Sequence, residues 1–214
     1  MELNGITVAF LGDSITEGHG TSGEDKRFSA LLWKSADLGV ALNYGIGATR
    51  FSRQVAPEAD VAERLPFVDR VETMDNEADL IFVFGGVNDY LHGNAPLGVF
   101  TDATPYTFYG ACHTLMRSLI EKYPDKPIVF ATPLHCIQEY EPRPADKAPL
   151  SAYVAAIKET AAYYALPVLD LNAMSGLQPA LPVMREMYVP DGLHPNDAGH
   201  ERLAERIEAY LRAL

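Results

Sequence analysis

Short apolar runs alternate along the chain with longer stretches in which apolar residues recur every three or four positions. The first pattern suits strands and the second suits amphipathic helices. Five runs predict strands: Ile6–Leu11, about Val40–Tyr44, Leu80–Phe84, Ile128–Ala131 and Val168–Leu171, with Pro127 and Pro167 marking the entries to the last two. Helical periodicity covers about Phe28–Ala36, Val61–Met74, Tyr106–Tyr123, Leu150–Ala165 and Asp197–Leu214. In the last of these, Leu203, Ile207, Tyr210, Leu211 and Leu214 make one apolar stripe, and charged residues occupy the rest. A run such as Ile81-Phe82-Val83-Phe84 is apolar on both faces, as a strand covered by helices on both sides must be. Right-handed crossovers then give an α/β fold: a doubly wound three-layer α/β/α sandwich on a parallel five-stranded sheet in the order 2-1-3-4-5.

Neither an internal repeat nor a linker interrupts this alternation, so residues 1–214 read as a single catalytic-sized domain. With 48% hydrophobic and 21% charged residues the chain can bury a substantial core, which argues against disorder. The formal net charge of −12 repels phosphate backbones and anionic headgroups, so nucleic acid is not an expected partner. Apolar runs are far shorter than the ~20 residues a membrane span needs, and no span is expected. The first residues, Met-Glu-Leu-Asn-Gly, lack the basic and apolar segments of a secretion signal, and the expected location is cytoplasmic. Cys112 and Cys136 cannot form a framework of bridges and are expected to pack as small apolar groups without a catalytic role. A homo-oligomer is not indicated.

In an open α/β sheet the working groups gather beyond the carboxyl ends of the strands. There the sequence reads Gly12-Asp13-Ser14-Ile15-Thr16, Gly45-Ile46-Gly47, Gly85-Gly86-Val87-Asn88-Asp89, Thr132-Pro133-Leu134-His135 and, after a longer loop, Asp191-Gly192-Leu193-His194-Pro195. Taken singly, each residue has a plain explanation as a helix cap or turn former. Together they hold a nucleophile, a base, a carboxylate and oxyanion donors, which are the parts needed for acyl transfer. A serine hydroxyl is a poor nucleophile until an imidazole takes its proton, and the imidazole needs a carboxylate to fix its tautomer. Ser14, His194 and Asp191 can fill those roles. The Ser14 N–H, the Gly47 N–H and the Asn88 amide can supply the oxyanion hole from three adjacent strand ends.

The blocks Phe10-Leu11-Gly12-Asp13-Ser14-Ile15-Thr16, Asn43-Tyr44-Gly45-Ile46-Gly47, Gly86-Val87-Asn88-Asp89 and Asp191-Gly192-Leu193-His194-Pro195 resemble, in order and spacing, those of the GDSL esterases, also called SGNH hydrolases. The resemblance implies Ser14 as nucleophile, Gly47 and Asn88 as oxyanion-hole members, His194 as base, Asp191 as its orienting acid, and a flavodoxin-like sandwich. The opening block carries Gly-Asp-Ser-Ile where the family's namesake has Gly-Asp-Ser-Leu, a conservative change. The elbow of the α/β-hydrolases needs G-x-S-x-G, whereas Ser14 sits in G-x-S-x-T, at the first strand and without the second glycine, so that fold is disfavoured.

Gly18-His19-Gly20-Thr21-Ser22-Gly23 matches the dinucleotide pattern G-x-G-x-x-G, with Asp37 further on. It does not follow its strand directly, and Glu24 and Asp25 would repel a pyrophosphate, so a cleft-lining loop is the expectation. Asp191, His194, Asp197 and His200 recur at every third position, but Pro195 separates the first pair from the helix and no metal site is expected. His200 reads as a surface or packed histidine, and His19 and His113 receive no role. Candidate substrate contacts are Asp13, Tyr90 and His135, with His92 at the same sheet edge. The loops Tyr90–Pro105 and Leu134–Pro149, carrying Leu91, Phe100, Tyr140, Arg143 and Lys147, are expected to shape the acyl and alcohol sites.

These features predict a serine esterase that needs no metal or organic cofactor. Its expected substrate is a small-molecule ester, with a short acyl chain on a polar alcohol such as an acetylated carbohydrate favoured. A lipase, lysophospholipase or thioesterase activity at the same site is the alternative within the class. An inactive binding module of the same fold is the alternative outside it.

Overall fold

A computed structural model describes residues 1–56, 65–142, 144–145 and 147–214. Five parallel strands, β1 (Thr7–Gly12), β2 (Val40–Gly45), β3 (Leu80–Phe84), β4 (Ile128–Ala131) and β5 (Val168–Leu169), form a sheet in the order β2-β1-β3-β4-β5. Register places Phe10 of β1 between Asn43 and Phe82, and Phe82 beside Val129. The helices are α1 (Ser14–Glu17), α2 (Phe28–Ser35), α3 (Phe67–Arg70), α4 (Val87–His92), α5 (Phe108–Lys122), α6 (Leu150–Tyr163), α7 (Leu171–Met174), α8 (Pro182–Tyr188) and α9 (Asp197–Ala213).

Because successive strand residues point to opposite faces, the fully apolar β3 feeds two cores at once. Ile81 and Val83 join Ala9, Leu11 and Phe130 beneath Ala111, Leu115 and Leu119 of α5 and Ile157 and Ala161 of α6. Leu80, Phe82 and Phe84 join Val8, Phe10 and Val129 beneath Phe28 and Leu32 of α2 and Leu203, Ile207 and Leu211 of α9. Phe82 is fully buried, with its ring centroid 6.0 Å from Phe10 and 6.5 Å from Phe28 in edge contacts. Burial of such a side chain contributes about 1.5–3 kcal/mol. Its truncation in Phe82→Ala would cost about 3–5 kcal/mol because a cavity remains.

The expected elements are present with shifted ends, and each shift has a local cause. β5 stops at Leu169 and not at Leu171, because the Asp170 side chain accepts the Ala173 N–H and starts α7. The helix expected over 61–74 is represented by α3 and a single 3-10 turn, Val71–Thr73, while residues 61–64 lie outside the described residues. Pro66 caps α3, and a proline disfavours helical backbone in the residue before it. α5 begins at Phe108, after Thr107, whose hydroxyl accepts the Gly110 N–H. The stripe of α9 is buried at Leu203, Ile207 and Leu211, but Leu214 lies past the helix and is 49% exposed. α4, α7 and α8 were not expected from periodicity, being only 6, 4 and 7 residues long.

Candidate active site

All five strands run the same way, so the turns after β1, β2 and β3 meet at one edge of the sheet. Asp13 ends the extended backbone and caps α1, its carboxylate accepting the Ile15 N–H at 3.0 Å. This sets Ser14 at the first helical position, 6% exposed, where its own N–H has no acceptor within the helix. The Ser14 Oγ lies 3.0 Å from His194 Nε2, across 180 residues of sequence.

The His194 side is made by a local turn. The Asp191 carboxylate accepts the Leu193 N–H at 2.8 Å and the His194 N–H at 2.7 Å through one oxygen, and its other oxygen is 2.7 Å from His194 Nδ1. Gly192 closes this turn with φ +82°, and a Cβ there would lie 2.4 Å from the Ile137 side chain. Burial pushes the Asp191 carboxyl upward, but the His194 backbone and ring N–H groups and the Leu193 N–H outweigh it and hold Asp191 below the usual carboxylate range. An ionised carboxylate only accepts, so Nδ1 donates to Asp191 and Nε2 is the nitrogen turned to the serine hydroxyl.

Ser14, Gly47, Asn88 and His194 line a single cleft of about 420 Å³, completed by Glu17, His19, Ile46, Ala48, His92 and Leu193. The Asn88 amide donates one hydrogen to the Thr49 carbonyl at 3.1 Å and retains a second N–H. The Gly47 N–H donates to Glu17 Oε2 at 2.7 Å. β2 and α1 approach closely at Gly45, where a Cβ would sit 2.1 Å from the Glu17 nitrogen.

Beneath the cleft lies a brace that sequence reasoning missed. Arg70 of α3, only 4% exposed, donates to the Tyr44 carbonyl at 2.7 Å and to the Gly12 carbonyl and Thr49 hydroxyl at 3.0 Å each. Its guanidinium also rests on the Phe67 ring at 4.5 Å. One side chain thus ties the ends of β1 and β2 to the residue that receives Asn88. Burial lowers its pKa to about 10, opposed by the nearby Asp13 charge. Asp89, beside Asn88, accepts from Phe51 N at 2.8 Å and Ser52 N at 3.0 Å, which fastens α4 to the 49–52 segment. Arg70 lies on the apolar face of its segment, between Phe67 and Met74 at helical spacing, and that was the available signal.

The candidate substrate contacts do not line this cleft. Asp13 is 1% exposed beneath it, and Tyr90 is 2% exposed, its hydroxyl donating to the Gln138 carbonyl at 3.3 Å. His135 pairs with Glu139 at 2.9 Å. Among the described residues of the two long loops only His92 lines the cleft: Phe100 packs against Tyr109, His113 and Tyr163, Tyr140 is exposed, and Arg143 lies outside the described residues. The segment from Gly18 to Gly23 contributes His19 to the cleft and packs on the His194 loop. Ser22 donates to the Asp197 carboxylate at 2.8 Å through its N–H and 2.6 Å through its hydroxyl. His200 is buried against Phe28, accepting that residue's N–H at 3.0 Å, and burial lowers its pKa to about 4. Asp197 and His200 are thus engaged by Ser22 and Phe28, and among the described residues no group of three or more His, Cys, Asp or Glu is arranged to hold a metal. Both cysteines are buried thiols.

Comparison with known proteins gives the same reading of fold and class. One solved structure is 36% identical with a TM-score of 0.88, covering 100% of this chain and 99% of its own. A protein from Lactobacillus plantarum is 29% identical with a TM-score of 0.86, covering 99% and 98%. A two-domain esterase active on acetylated mannans superposes with a TM-score of 0.68 at 20% identity, over 99% of this chain and 49% of the esterase. No curated protein matches. Among the described residues no helix is long and apolar enough to cross a membrane. The model of the GDSL-like lipase/acylhydrolase family matches residues 10–202, nearly the whole length, and the chain belongs to that family of hydrolases.

Proposed function

We propose that the protein hydrolyses an ester with a short acyl chain and a polar alcohol part, such as an acetylated carbohydrate, using Ser14 as nucleophile, His194 as general base and Asp191 as the orienting acid. The observation that carries this reading is the unbroken hydrogen-bonded relay from Ser14 Oγ through both His194 nitrogens to Asp191, at 3.0 and 2.7 Å. His194 Nε2 takes the serine proton as Oγ attacks the carbonyl carbon. Asp191 stabilises the imidazolium that results. The negative oxygen of the tetrahedral intermediate accepts from the Ser14 N–H, the Gly47 N–H and the Asn88 amide, and collapse with protonation of the leaving alcohol by His194 yields the acyl-enzyme. Water, deprotonated by the same nitrogen, then releases the acid.

Cleft size and lining support the short acyl chain. In about 420 Å³ the apolar wall is confined to Ile46, Ala48 and Leu193 beside Glu17, His19 and His92, which suits a short acyl chain better than a long hydrocarbon tail. The polar groups suit an alcohol that carries hydroxyls, which is also the kind of substrate that the two-domain mannan esterase acts on. The test is covalent labelling of Ser14 by an organophosphonate together with hydrolysis of p-nitrophenyl esters of increasing acyl length. Labelling at Ser14 and a fall in kcat/KM beyond short chains are expected. An unlabelled Ser14 defeats the mechanism, and a rise with chain length defeats the substrate class.

A further inference from the structure

Glu17 is a residue that the relay does not use, yet it lines the cleft. Its Oε2 accepts the Gly47 N–H at 2.7 Å and lies 3.7 Å from His19 Nε2, with 43% of the side chain exposed. An oxyanion needs an acceptor position 2.7–3.1 Å from its donors. Glu17 Oε2 already holds that position relative to Gly47, so the carboxylate and a developing oxyanion compete for the same N–H. Resting on the reading of Ser14 and Gly47 given above, we propose that Glu17 is a specificity-determining gate. The ester carbonyl displaces its carboxylate from Gly47, and the displaced charge, still at the cleft wall, rejects esters whose acyl part carries an anion.

The placement follows from the fold. Glu17 is the last residue of α1, one helical turn after Ser14, and the close passage of β2 at Gly45 holds that turn against the 45–47 segment. Among the described residues its ion-pair partner is His19, itself 59% exposed. A neutral acyl group therefore has only a half-exposed side chain to push aside, whereas an anionic one also meets a like charge at short range. In this half-exposed setting repulsion of two unit charges about 4 Å apart corresponds to at least about a fivefold loss of affinity.

The experiment compares two p-nitrophenyl esters of equal reach, the neutral butyrate and the anionic hemisuccinate, in the wild type and in Glu17→Gln. Gln keeps the shape and an acceptor oxygen but not the charge. The wild type should favour butyrate, and Glu17→Gln should narrow that preference at least about fivefold, mainly through faster hydrolysis of the hemisuccinate. An unchanged ratio overturns the proposal. A readout without turnover is the Gly47 amide proton, which should move upfield in Glu17→Gln as the charge-assisted bond weakens; an unmoved resonance overturns it as well. If the wild type cleaves neither ester, the proposed function falls, and affinity for succinamate still decides the role of Glu17. Tighter binding to Glu17→Gln than to the wild type supports the gate and equal binding refutes it.

Discussion

The two halves of the cleft are held by opposite means. On the nucleophile side Ser14, Gly47 and Asn88 come from three strand ends, and side chains distant in sequence fix them: Arg70 on the carbonyls of Gly12 and Tyr44, Asp89 on the 51–52 backbone. On the base side Asp191 and His194 stand three residues apart, and their geometry is set inside one turn by hydrogen bonds of 2.7–2.8 Å. The nucleophile side is buried and rigid by cross-bracing, while Asp191 keeps 55% of its side chain exposed. A site built this way should be sensitive to remote changes on one side and tolerant of them on the other.

The largest effect tests whether the halves act as a unit. Ser14→Ala and His194→Ala should each lower kcat on a short p-nitrophenyl ester by about 10⁴-fold or more, and the double variant should be little worse than either. Additive losses would mean that the two residues do not share one proton transfer. Next in size is Arg70→Met, which removes the brace without touching the cleft lining. It takes the Arg70 donor from the Tyr44 carbonyl and from the Gly12 carbonyl, which keeps the Ile46 N–H at 3.2 Å, so urea denaturation should report a loss of roughly 1 to 3 kcal/mol. Where the fold persists, kcat should fall with KM little changed, because displaced oxyanion donors weaken the transition state more than the ground state. Loss of stability with unchanged kcat would show that Arg70 supports the fold and not the geometry of the site.

Asp191→Asn should be milder than His194→Ala. The amide oxygen of Asn can still accept the Leu193 and His194 N–H groups and preserve the turn; its NH2 then faces His194 Nδ1 and disfavours the productive tautomer, but the imidazole itself remains, whereas His194→Ala has no base at all. Steady-state kcat of the two variants gives the comparison, and an equal loss would mean that the carboxylate charge, not the turn, is the essential contribution.

The same contrast explains what was legible in the sequence. Ser14, Asn88, Asp191 and His194 were readable because each stands in a turn directly after a strand or before a helix, where local chemistry fixes backbone and position together. The sheet order was readable because runs such as Ile81–Phe84 are apolar on both faces, as a central parallel strand requires. Arg70 and Glu17 were not, since a lone charged residue in a helical pattern looks like solvated surface, and only the crossing of α3 under β1 and β2, or of β2 past α1, gives it a partner. Tyr90 failed for the converse reason: it follows the third strand as a binding residue would, but the α4 turn rotates its ring into the core against Tyr153.

The smallest effect concerns the cost of building the nucleophile side from buried charge. Burial raises the Asp13 carboxyl to about 6, against the Ile15 N–H and the charges of His194 and Arg70, which lower it, with the like charge of Asp89 adding to the rise. Below the unfolded value of 3.8 both states are protonated and the group contributes no slope. Between there and about 6 the native state binds the extra proton, so this carboxylate makes stability fall as pH rises, and the loss is complete above that window. His200 acts oppositely over a similar range, because its folded pKa is lowered to about 4 and the unfolded chain then binds more protons. The slope of the wild type mixes the two, but a difference curve separates them. Asp13→Asn cannot ionise and keeps an oxygen for the Ile15 N–H, so its stability relative to the wild type should rise by roughly 2 to 3 kcal/mol between pH 4 and pH 7. Urea midpoints measured across that interval supply the curve. A flat difference would mean that Asp13 is solvated or paired in solution, and that the nucleophile side is less tightly closed than its cross-bracing implies.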